Sequence, residues 1–170
     1  MSSSHKSRRV RRALLPLLIA APLAAVVAGQ LGGFNGQPPQ DLGVAEGRLK
    51  PPSATRNSVS SQADLYPDHP QRVYANIDPF PLRQATPDAA MQALLGALAS
   101  QPGVRVIQQT NDYAYAQAST RWLGFVDDLE FWVNPAAGVI EVRSASRLGR
   151  EDFGTNRERV ESIRTAYLSR

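Results

Sequence analysis

The chain has 170 residues, room for one modest domain, and its formal charge of +4 is a property of one end. Lys6, Arg8, Arg9, Arg11 and Arg12 stand in the first 34 residues with no acid among them. Removing those five from the 19 basic residues leaves 14 against 15 acidic ones, a balance that lacks the basic footprint of a nucleic-acid binder. Cysteine is absent, which excludes disulfides, thiolate metal sites, a thiol nucleophile and a lipid-modified cysteine.

Behind the cations, residues 13 to 28 carry no charged or strongly polar side chain. A basic region followed by an apolar run is the pattern of an exported chain. Two fates remain open for it. With Leu31 and Phe34 the run approaches the ~20 residues of a spanning helix, whereas small Val26 and Ala28 suit cleavage after Ala28, and Pro16 and Pro22 disfavour a packed helix. In both cases the cations hold the N-terminus in the cytoplasm. Residues 1–34 are therefore expected to be a leader that meets the membrane, as signal peptide or as anchor. The rest is expected on the periplasmic side of a bacterial inner membrane, tethered there or released.

Residues 35 to 87 hold nine of the thirteen prolines and keep no helical or strand period. We expect a proline-rich spacer over 35–56 and one α+β domain over 57–170, whose first part, 57–85, is an extended arm anchored by Val59, Leu65 and Tyr66. The first regular element opens at Thr86, which suits a cap, with Pro87 at the first helical position and Asp88 against the positive end of the helix. Met91, Leu94, Leu95 and Leu98 form its apolar stripe, and "QPG" at 101–103 ends it. Strand-like runs follow at 104–109, 113–121, 126–133 and 139–146. In the second of them Tyr113 and Tyr115 alternate with Ala114, Ala116 and Ala118, giving an aromatic face, open to a partner, to an apolar ligand or to the folded-back arm, and a small one that can seat a helix. "TNRE" at 155–158 has the form of a capping box, with Thr155 as cap and Val160, Ile163 and Tyr167 as the buried stripe. Helix, antiparallel strands and helix predict a small α+β fold: about four strands with both helices on one face.

Parity fixes the pairing of the last two strands. Matching the apolar faces puts Phe131 opposite Val142, Leu129 opposite Ser144, and Glu130 opposite Arg143. Asp127 then shares the inner face with Ser144 and Ser146, whose hydroxyls can satisfy it. Asp128 and Glu130 fall on the outer face, expected to be exposed, where an ion pair with Arg143 contributes at most ~1 kcal/mol. Arg147, Asp152, Asn156 and Arg157 crowd the turn before the last helix. The candidate site is this polar cluster: Asp127, Asp128, Glu130, Arg143, Ser144, Ser146, Arg147, Asp152, Asn156 and Arg157.

"NSVSSQ" at 57–62, "GFVDDLEF" at 124–131 and "GVIEVRSASRLGREDFGTNRERV" at 138–160, in this order and spacing, make the chain similar to domain-of-unknown-function family 1499, found in bacterial envelopes and plastids. The resemblance covers residues 42–170 and implies an envelope location and a recurring polar set that includes the residues above. Many relatives have Cys where this chain has Ser58. The resemblance implies no mechanism.

Two functional readings follow. In the first, the domain is a non-catalytic envelope module without cofactor, in which the cluster organises the fold and binds an envelope protein or a small anion through its arginines. In the second, Asp127, Asp128 and Glu130 serve a hydrolase or a Mg²⁺- or Ca²⁺-dependent enzyme. His69 in "YPDHP" is the one histidine outside the leader, a thin basis for a Ser-His-Asp system.

Overall fold

The computed structural model describes residue 18 and residues 20–170. The leader cations and the opening of the apolar run thus lie outside the described residues. Residues 20–30 are helical. Among the described residues no helix is long and apolar enough to cross a membrane.

The domain is α+β, built on one antiparallel sheet. Its strands are β1 (Ser58–Ser60), β2 (Phe80–Pro81), β3 (Val104–Gln109), β4 (Tyr113–Ser119), β5 (Val126–Asn134) and β6 (Val139–Ser146); its helices are α1 (Arg72–Ala75), α2 (Pro87–Ala99) and α3 (Thr155–Leu168). The strand order is β1-β6-β5-β4-β3, and β2 also pairs with β6. Six strands replace the expected four because the arm supplies two. β1 lies along residues 143–145 of β6 and β2 along 139–140, so together they cover an edge that would otherwise be open. Three and two residues are too few to show a strand period in sequence.

The register of the last hairpin is the one parity requires: Leu129 pairs with Ser144, Glu130 with Arg143 and Phe131 with Val142. Leu129, Phe131, Val133, Ile140 and Val142 thereby face one way, and α2 and α3 cover them with Met91, Leu94, Leu98, Val160, Ile163 and Tyr167. Ala114, Ala116 and Ala118 belong to the same core, their small side chains leaving room for α2. Thr86 caps α2 by accepting the Ala89 N–H at 3.2 Å, with Pro87 behind it.

The outer face of the sheet is covered as well, by the stretch preceding β1. Leu49, 1% exposed, packs on Tyr113 and Tyr115, with Leu42 and Trp132 beside them. The Leu49 N–H donates to Gln62 Oε1 at 2.7 Å, and Tyr66 Oη donates to the Leu49 carbonyl at 2.9 Å. Residues 42–49, within the proline-rich region, therefore lie against the sheet.

Candidate functional site

Consecutive strand residues point to opposite faces, so the polar cluster divides into two groups with the sheet between them. Asp128, Glu130, Arg143 and Arg147 gather on the outer face. Asp127, Ser144, Ser146 and Asn156 meet beneath the start of α3, with Asp152 alongside.

The outer group was expected at the surface and is buried. Glu130 is 0% exposed and Arg143 4%, because the stretch before β1 lies over them. Arg143 Nη1 stands 3.5 Å from Glu130 Oε2. Glu130 Oε1 also accepts the Tyr113 hydroxyl at 3.0 Å and the backbone N–H of Gly43 at 2.8 Å, while Arg143 Nε donates to the Pro51 carbonyl at 3.1 Å. Two backbone groups of the overlying stretch thus complete the shell of a buried ion pair. Asp128 accepts both Nε (2.8 Å) and Nη2 (2.7 Å) of Arg147, a two-pronged contact, and the Tyr115 hydroxyl at 2.6 Å.

The electrostatic consequences follow from burial and partners. Burial, then Glu130, pushes the Tyr113 phenol well above its ordinary range; burial, then the bond to Asp128, also raises Tyr115. Hydrogen bonding to Asp128 strengthens the hold of Arg147 on its proton. Burial draws Arg143 below its usual value, against the pull of Glu130 and Asp128.

On the inner side Asp127 is satisfied by Arg159 of α3, with Nη2 2.8 Å from Oδ2, and not by the serines. The hydroxyls of Ser144 and Ser146 instead bind Asn156: Ser144 Oγ donates to Oδ1, and Nδ2 donates to Ser146 Oγ at 3.0 Å. Asn156 Nδ2 also donates to Asp152 Oδ2 at 2.8 Å and to the Asn57 carbonyl at 3.2 Å. This fully buried amide ties α3, β6 and the residue before β1 together. Arg157 points elsewhere, donating to the carbonyls of Tyr74 (2.6 Å) and Asn76 (2.9 Å).

The helix cap also differs from expectation. Gly154, with φ 85°, is the residue before α3, and no side chain caps from that position. Asp152 does the work from two residues further back, its Oδ2 accepting the Asn156 N–H and its Oδ1 the Gly154 N–H, both at 3.0 Å. Tyr74 donates to the same Oδ1 at 2.7 Å. Burial alone would raise this carboxyl, but the bonds from Tyr74, Asn156 and Gly154 outweigh it and hold Asp152 below the usual carboxylate range.

Among the described residues every buried side-chain nitrogen and oxygen has a partner, and no three His, Cys, Asp or Glu side chains gather as they would around a metal ion. An opening of about 260 Å³ remains between the proline-rich stretch and the outer group, lined in part by Lys50, Ser53, Asp128, Arg143 and Arg147. Lys50 Nζ is 2.5 Å from the largely exposed Asp41.

The residues that sequence reasoning missed are the partners: Arg159, Tyr74, Tyr113, Tyr115 and Asn57. Arg159 carried a signal, since Asn156, Arg159, Val160, Ile163 and Tyr167 share one helical face. No curated protein and no solved structure matches the chain significantly. The family described as "Protein of unknown function (DUF1499)" matches residues 48–167. That range holds all six strands, α1, α2, all but the last residue of α3, and both polar groups; the chain belongs to the DUF1499 family.

Proposed function

We propose that this protein is a non-catalytic envelope module, exported by its leader and held at the bacterial inner membrane or released after cleavage near Ala28. Its ion pairs organise the fold, and the opening beside Lys50, Arg143 and Arg147 receives a small anion. One observation carries the reading. Each of the three β5 carboxylates already has its own guanidinium: Asp127 with Arg159, Asp128 with Arg147, and Glu130 with Arg143. A carboxylate so held is a poor proton shuttle or ligand and a good structural tie. The export reading is supported by the five leader cations and the uncharged run behind them.

A thermal-shift titration of the protein with phosphate, sulfate and small carboxylates tests the anion. Binding raises Tm with concentration. Lys50→Ala should abolish that rise while leaving the anion-free Tm nearly unchanged, because its pair with Asp41 is a surface one. An alkaline phosphatase fusion after Arg170 tests export: the reporter gains activity only outside the reducing cytoplasm, so a fusion that is made but inactive would overturn the reading. A Glu130→Gln variant with unchanged Tm would overturn the structural role of the pair.

A further inference from the structure

We propose that one end of the domain, formed by the turns at 120–125 and 147–153, rests in the lipid interface. This is a second membrane contact, separate from the apolar leader but resting on the reading that the leader holds the chain at a bilayer. Phe153 is 90% exposed, with φ 54°, a conformation that bulky residues rarely adopt. Trp122 is 63% exposed, and Leu148 and Phe125 are partly so. Phe125, Leu148 and Phe153 line one shallow apolar depression, which places them at the same end.

Continuity with the leader names the occupant. The helix over 20–30 seats on the 120–125 turn: Gln30 Nε2 donates to the carbonyls of Arg121 and Trp122, both at 3.0 Å, and Gly29 lies flush against Leu123, where a side chain has no room. Phe34 stacks on Phe125 with centroids 5.2 Å apart. Leu23, Val27 and Leu31 of this segment remain exposed. The helix over 20–30 carries residues 20–28 of the apolar run, so the aromatic end abuts the run itself, along a helical length of about 16 Å. The chemistry suits a lipid surface, with Trp and Phe at headgroup depth and the Arg121 guanidinium 5.0 Å over the Trp122 ring, available to phosphate groups.

The chain has two tryptophans, so Trp132→Phe leaves Trp122 as the single reporter. Full-length protein carrying that change is reconstituted into phosphatidylethanolamine–phosphatidylglycerol vesicles. Expected are co-flotation, a blue-shifted Trp122 emission, quenching by lipids brominated near the headgroup, and loss of quenching by aqueous iodide. Adding Leu148→Ser and Phe153→Ser should return Trp122 to water while flotation and Tm persist. A floating protein whose Trp122 stays open to iodide overturns the inference and leaves the anchored reading standing. Iodide protection without bromolipid quenching overturns it in favour of self-association. Failure to float overturns both.

Discussion

Glu130 shows what a single residue's surroundings decide. In sequence it is a polar position on the solvent side of an alternating strand; in the fold it is fully buried, with one guanidinium, one phenol and one backbone N–H around it. Removing one member of such a pair leaves the other as an uncompensated buried charge, which costs about 3–5 kcal/mol. Glu130→Ala should therefore lower stability by that order in chemical denaturation. Adding Arg143→Met should recover part of the loss, since it removes the stranded charge while leaving Gly43 and Pro51 without their partners. Strictly additive losses in this double-mutant cycle would show that the two side chains do not interact. The pairing of 130 with 143 was legible from parity; its burial was not, because alternation reports which face a residue takes and not what covers that face.

At the scale of the element, the last helix starts through Asp152 and Asn156. Thr155 and Glu158 satisfied the pattern of a capping box, yet the turn brings a carboxylate from further back onto the free N–H groups. Asp152→Ala should cost about 0.5–2 kcal/mol, the usual worth of a cap, and Thr155→Ala distinctly less, as thermal denaturation of the two variants will show. The pH dependence has a definite sign. The native Asp152 carboxyl titrates below its unfolded value of about 3.9. Its contribution is therefore complete above roughly pH 4–5 and is lost as pH falls through the native value. Asp152→Asn should flatten the acid side of a Tm–pH profile and leave its neutral side level. The last hairpin, α2 and α3 were readable because each carries a full period of apolar residues; α1, four residues long within the expected arm, carries none. Asp127 found Arg159 because α3 lies over the strand end, and no local pattern states which helix crosses which strand.

At the scale of the molecule, the sheet is enclosed on both sides: two helices on one, and an irregular proline-rich stretch on the other. The second cover is held by backbone groups reaching buried charges, so its removal should be felt far from its own residues. A fragment of 57–170 should melt well below one of 40–170, with the fastest gain in hydrogen exchange along β5 and β6; equal melting would show the cover to be dispensable. Composition marked this stretch as lacking helix and strand, which is true of its backbone. Its attachment depends on single contacts, such as Leu49 on Tyr113 and Tyr115, that have no periodicity to detect.

Ser58 sits under that cover, fully buried, its Oγ accepting the N–H of Ser53 at 2.8 Å. In a chain without cysteine, Ser58→Cys would provide one thiol at a place reagents reach only when the layer above lifts. Its alkylation should be slow in the native protein and fast in denaturant, and the ratio of the two rates converts directly into the free energy of uncovering. The position therefore offers a clock for a local opening that leaves the core closed, one that destabilised Glu130 variants should run faster.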